Sequence, residues 1–114
     1  MIRESFPLEK MNIILRGIKD IKISKHYLKY INQGKRDIPP REVIEFIKKR
    51  KFYFVEKQIN GWIRYKIIYE LSNRYDLVII IKEEGKVLKV VSAYKTNKKL
   101  KEKWKKMFKS HMIK

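Results

Sequence analysis

The chain has 114 residues, of which 30 are Lys or Arg and 12 are Asp or Glu, giving a formal net charge of +18. A hydrophobic fraction of 44% with 12% aromatics excludes a disordered basic tail, and the length suits one domain with its own core. The absence of cysteine excludes a disulfide framework and a thiolate metal site, and the longest apolar run, Leu77 to Ile81, is too short to cross a bilayer.

Folding crowds this positive charge together, and a polyanionic partner relieves the repulsion. RNA and DNA fit, because cations that engage phosphates release condensed counterions. Heavy lysine usage across the source's proteins is the plain alternative. The two histidines, His26 and His111, lie far apart and show no metal-ligand spacing, so neither a metal nor another cofactor is expected. The opening M-I-R-E-S-F-P-L-E-K has no apolar stretch of signal-peptide length. A soluble cytoplasmic protein without membrane contacts is the expectation.

Taken in chain order, Pro7 suits a first helical turn, and Leu8, Met11, Ile14 and Leu15 form one face of a short helix that Gly17 ends. A brief extended piece, Ile21 to Ile23, follows. Ser24 is an N-cap for a helix carrying Tyr27, Leu28 and Ile31 on one stripe, with Gly34 as its stop. The stretch D-I-P-P at 37–40 breaks the chain. Pro40 then opens a further helix with Val43, Ile44, Phe46 and Ile47 as its buried stripe.

After residue 51 the period becomes two. Phe52, Phe54 and Glu56 fall on one face, with Tyr53, Val55 and Lys57 on the other. Asn60-Gly61 signals a tight hairpin. From Trp62 to Leu71, Ile63, Tyr65, Ile67, Tyr69 and Leu71 share one face, and Trp62, Arg64, Lys66, Ile68 and Glu70 the other. S-N-R-Y-D at 72–76 is a turn, Leu77 to Lys82 a strand apolar on both faces, E-E-G-K at 83–86 a second hairpin turn, and Val87 to Thr96 the last strand. A C-terminal helix is predicted from about Asn97, with Leu100, Trp104, Met107 and Phe108 on one stripe. The predicted fold is α+β: N-terminal helices, a four-stranded antiparallel β-meander and a C-terminal helix, with the helices covering one face of the sheet.

Arg64 and Lys66 are two residues apart on a strand, so both point the same way. On the last strand, alternation puts Lys89 and Lys95 on one face and Ser92, Tyr94 and Thr96 on the other. A helix-free sheet face bearing cations and hydroxyls makes an RNA-binding platform, where cations hold phosphate and aromatics stack on bases. An ordinary solvated sheet face is the plain alternative. His26 follows Ser24 in the first turn of its helix, beside Lys25 and off the apolar stripe. Imidazole titrates near neutral pH and is a natural general base or acid, although a lone helical histidine is more often structural or solvated. His111 lies in the C-terminal tail and is assigned no role. The acids show no pairing suited to metal-dependent hydrolysis, and no Gly-rich phosphate loop is present. The lysine-rich C-terminal stretch, with Lys98, Lys99, Lys101, Lys103, Lys105, Lys106 and Lys109, is the strongest single basic patch, a contributor to affinity rather than to catalysis.

Four segments carry a resemblance: I-S-K-H-Y-L-K-Y-I at 23–31, I-P-P-R-E-V-I-E-F-I at 38–47, R-Y-K-I-I-Y at 64–69 and V-V-S-A-Y-K-T at 90–96. Together they resemble the barnase–EndoU–colicin–RelE superfamily of metal-independent RNases, nearest its small phage- and toxin-associated branches, over roughly residues 21–108. The likeness rests on element order, a helix histidine, a basic residue on the second sheet strand, and hydroxyl or aromatic residues on the last. It implies a toxin-like endoribonuclease acting on tRNA or mRNA, in which the ribose 2′-hydroxyl attacks the adjacent phosphate and leaves a 2′,3′-cyclic phosphate without a metal. By motif position the resemblance implies His26 as general base or acid, and Lys66, with Arg64 near it, as stabiliser of the phosphorane-like transition state. It implies Ser92, Tyr94 and Thr96 as groups that position the phosphate or ribose. Lys25 matches a basic position beside the helix histidine, and Lys95 joins Lys25, Arg64 and Ser92 as a substrate-binding candidate. Other branches use two histidines or several arginines, and some members bind without cleaving. A non-catalytic nucleic-acid-binding protein is therefore the alternative, and a ribosome- or chromatin-associated structural protein a third reading. A toxin-like protein also implies an acidic antitoxin or immunity protein as partner. In domain terms, residues 1–114 form a single domain, with 1–19 an N-terminal extension or helix and 21–108 the nuclease-like core.

Overall fold

The computed structural model describes residues 1–32, 38–49 and 51–97. Its elements in chain order are β1 (Ile2–Ser5), α1 (Leu8–Arg16), β2 (Asp20–Ile23), α2 (Lys25–Asn32), α3 (Pro40–Lys49), β3 (Phe52–Ile59), β4 (Ile63–Glu70), β5 (Tyr75–Glu84) and β6 (Val87–Asn97). Local signals account for most of the boundaries. Gly17 closes α1, its N–H donating to the carbonyls of Ile13 and Ile14. The Ser24 hydroxyl accepts from the Tyr27 N–H at 3.1 Å, a side-chain N-cap of α2. Pro40 is the first residue of α3, where a missing N–H costs nothing. Gly61 and Gly85 turn the two hairpins with φ of 76° and 64°, a left-handed backbone that side chains disfavour.

The six strands form one mixed sheet in the order β1-β3-β4-β5-β6-β2. This corrects the predicted four-stranded antiparallel meander. β3 to β6 do pair antiparallel in sequence, but β1 adds antiparallel to β3 and β2 adds parallel to β6. Both additions are four residues long and carry charged side chains, which blunts two edges otherwise open to further pairing. The predicted C-terminal helix lies outside the described residues, and Asn97, its expected start, is the last residue of β6.

Met11 of α1, Tyr27 of α2 and Val43 and Ile47 of α3 pack with Ile38 onto one face of the sheet, against Val55, Tyr65, Ile67, Tyr69, Leu77, Ile79, Ile81, Leu88, Val90 and Ala93. Full burial of each large aliphatic here contributes about 1.5–3 kcal/mol. The rings of Phe46 and Phe52 meet Tyr69 edge-on at 5.7 and 5.9 Å. No described helix covers the other face. Two irregularities in the ladder decide which side chains reach it. The register shifts between Phe52 and Phe54, leaving Tyr53 extra, and again opposite Ile80 and Ile81, leaving Val91 extra. Phe52 therefore faces the helices while Phe54 faces away, which corrects the expectation that they share a face. Lys89 likewise joins Ser92, Tyr94 and Thr96, and only Lys95, opposite Leu77, remains on the helix side. No helix among the described residues is long and apolar enough to cross a membrane.

Candidate functional site

The face away from the helices divides into two regions. Toward the β4–β5 turn it is closed: Ile68, Val78 and Asp76 are fully buried, and Thr96 beside Asp76 is nearly so. Tyr53 donates a hydrogen bond to the Asp76 carboxylate there, and burial, then that bond, pushes the Tyr53 hydroxyl pKa up. At the opposite end, under the start of α2, the face opens into a cleft of about 470 Å³. Its lining includes His26, Arg64, Lys82, Lys89 and Ser92.

The register explains the charge of this cleft. Lys22 of β2 is paired with Lys89 of β6, and Lys89 with Lys82 of β5. Because Tyr65 pairs with Ile81, Arg64 of β4 falls next to Lys82. Four cations thus stand in a row across four adjacent strands, a span of about 15 Å at ordinary strand spacing. Like charges directly opposite each other destabilise a sheet, so folding alone does not favour the row. Glu84, which also lines the cleft, offsets part of the charge through an ion pair with Lys82 at 3.5 Å. That pair is exposed and worth little. The Arg64 Nε is shielded from solvent and has no hydrogen-bond partner, an orphaned cationic N–H on a residue that lines the cleft.

His26 reaches the cleft because of how α2 starts. The Ser24 N–H donates to the Val90 carbonyl at 2.9 Å, and the Ser24 hydroxyl, besides capping the helix, donates to the Val91 carbonyl at 3.3 Å. The N-terminus of α2 is thereby fixed to the bulged part of β6, next to Ser92. The helix N-terminus adds a partial positive charge to the same place.

Of the residues singled out in the sequence, His26, Arg64 and Ser92 come together in this cleft. Lys66 lies one step along the same face from Arg64, half-buried beside the buried Glu56 with which it is paired. Burial lowers the Lys66 pKa; Glu56 works against that and Arg3 reinforces it. Lys25 is exposed beside His26 and is not part of the lining. Tyr94 and Thr96 share the face of Ser92 but sit in the closed region, paired with Val78 and Asp76. Lys95 stays on the helix side, its ammonium 5.5 Å from the centre of the Tyr75 ring. Sequence reasoning missed Lys22, Lys82 and Glu84 as site residues. The signal for Lys82 was present in the alternation of β5, where it falls two residues after Ile80.

A larger cavity of about 610 Å³ opens on the helix side, lined in part by Arg16, Lys19, Lys48 and Lys49 around an apolar floor. Among the described residues that line it there is no imidazole and no hydroxyl, so the smaller cleft is the better chemical candidate. Among the described residues no three His, Cys, Asp or Glu side chains gather as metal ligands. Comparison with known proteins returns no matching family model, no matching curated protein and no matching solved structure.

Proposed function

We propose that this chain is a small endoribonuclease that cleaves RNA by attack of a ribose 2′-hydroxyl on the neighbouring phosphate. One observation carries the reading: the His26 imidazole, the Arg64 guanidinium and the Ser92 hydroxyl line one open cleft on a row of cations. The reaction needs a proton acceptor or donor, cations for the charge gathering on phosphorus, and a group to hold the phosphate, and these are the side chains present. The 2′-oxygen bonds to phosphorus, the bond from phosphorus to the 5′-oxygen breaks, and the products are a 2′,3′-cyclic phosphate and a 5′-hydroxyl. His26 handles one of the two proton transfers, and water in the open cleft handles the other. Arg64 and, further along the face, Lys66 oppose the negative charge of the five-coordinate phosphorus, while Ser92 orients a phosphate oxygen. Lys22, Lys82 and Lys89 hold neighbouring phosphates. The resemblance to the barnase–EndoU–colicin–RelE superfamily points to the same chemistry, with His26 in the same role. An acidic partner that neutralises the cleft fits this reading as well.

The test is cleavage of total RNA by the purified chain in EDTA. Cyclic-phosphate ends are expected, and His26→Ala lowers the rate by about 10²–10⁴-fold while RNA retention persists. Equal cleavage by that variant overturns the role of His26. Salt-sensitive retention with no cleavage by the unaltered chain leaves a nucleic-acid-binding protein in place of a nuclease.

A further inference from the structure

Trp62 is half-exposed, at 49%, although indole is among the side chains that gain most from burial. It lies in the β3–β4 turn just before β4, two residues before Arg64. The Arg64 guanidinium stands over its ring, 5.3 Å from the centre. Arg64 thus spans two environments, the Trp62 ring and the lining of the anion cleft.

From this arrangement we infer that Trp62 is a stacking platform for one unpaired nucleobase, positioned at the rim so that the attached backbone enters the cationic cleft. A base has a flat π-face and a phosphate within reach of it, and the rim supplies an aromatic plane beside a cation in the same order. A paired base cannot use the platform, because its faces are already covered by its neighbours in the duplex. Single-stranded RNA is the substrate class this selects, and proteins that bind it recurrently stack its bases on aromatic and guanidinium planes. Arg64 fixes the plane of the indole through the cation–π contact while facing the phosphate. The inference rests on the proposed RNA function and adds which strand state is taken and what holds the base.

Two measurements test it, both in the His26→Ala background so that RNA stays whole. In the first, Trp62→Ala is compared with Trp62→Phe for binding to a short unpaired oligoribonucleotide and to a blunt duplex of equal length. Trp62→Ala is expected to weaken binding of the unpaired strand by about ten- to a hundredfold. Trp62→Phe should keep most of the affinity, and the slope of log affinity against log salt should not move, since no charge is lost. In the second, a Trp104→Phe variant leaves Trp62 as the only tryptophan of the chain's two. Its fluorescence should be quenched by the unpaired strand and not by inorganic polyphosphate. If the parent protein binds RNA with salt dependence but Trp62→Ala binds the unpaired strand as well as the parent does, the platform is overturned and the nuclease reading stands. If the parent binds no RNA, both fall together.

Discussion

Two tyrosine hydroxyls in this molecule, one buried and one partly buried, ought to respond to deletion in opposite directions. The Tyr69 ring is fully buried between Phe46 and Phe52, and its hydroxyl has no hydrogen-bond partner. A polar atom removed from water without a partner costs free energy, so Tyr69→Phe removes a penalty and keeps the packing. The variant is expected to gain about 1 kcal/mol, or several degrees in Tm. Tyr53 is the contrast. Its hydroxyl donates to the buried Asp76 carboxylate, whose other oxygen has no partner. Tyr53→Phe strands that carboxylate and should cost about 1.5–3 kcal/mol, the range for a hydrogen bond to a charged group. Urea denaturation of the two variants beside the parent reads both values. A destabilised Tyr69→Phe would mean that the hydroxyl is paired in solution.

At the scale of elements, the junction of β2, α2 and β6 sets the site. Ser24 holds it with four bonds, two to β6 and two across the first turn of α2. Ser24→Ala should cost about 1 kcal/mol through the lost cap. On the proposed nuclease function it should also lower RNA cleavage at a saturating substrate concentration, because His26 is carried by the turn that loosens. Ser24→Thr keeps the hydroxyl and should restore both stability and cleavage. Thermal unfolding and single-turnover cleavage separate the two effects, and an unchanged Tm in Ser24→Ala removes the cap from the account. The same junction shows what the sequence discloses and what it conceals. Ser24, Pro40, Gly61 and Gly85 were legible because each acts on its own few residues. β1 was not, because Ile2–Ser5 is exposed for most of its length, without alternation, and becomes a strand only by pairing with β3. β2 was legible as an extended piece, but nothing local reveals that its parallel partner is β6. The bulges at Tyr53 and Val91 were invisible for a sharper reason. Neither is marked by Gly or Pro, yet one extra residue reverses every inward and outward assignment beyond it. Simple alternation thus separated Lys89 from Ser92, and the cationic row came to light only with the register. His26, Arg64 and Ser92 could be named from the sequence, but their meeting in one cleft depends on non-local pairing.

For the whole molecule, the excess charge and the buried phenols together shape the response to alkali. Burial raises the pKa of Tyr53, Tyr65 and Tyr69; Asp76 adds to it for Tyr53 and Glu83 for Tyr65. Their neutral forms are therefore favoured in the folded state, which holds more protons than the unfolded chain above the ordinary tyrosine pKa of about 10. The stability these groups contribute is complete below that pH and is lost as pH rises through their folded values. Lys66 runs the other way, since its lowered pKa means that the folded state holds fewer protons until pH passes the ordinary lysine value. One lysine opposes three phenols, so the phenols dominate above pH 10. Below that, a net charge of +18 strains the fold by self-repulsion, and added salt should raise Tm at neutral pH by screening it. Alkaline titration followed by phenolate absorbance and circular dichroism checks the high-pH limb. A late phase of tyrosine ionisation is expected to coincide with the loss of sheet signal, and Tyr69→Phe should move that phase to higher pH. Completion of all tyrosine ionisation while the sheet signal is intact would contradict the raised pKa of these three hydroxyls.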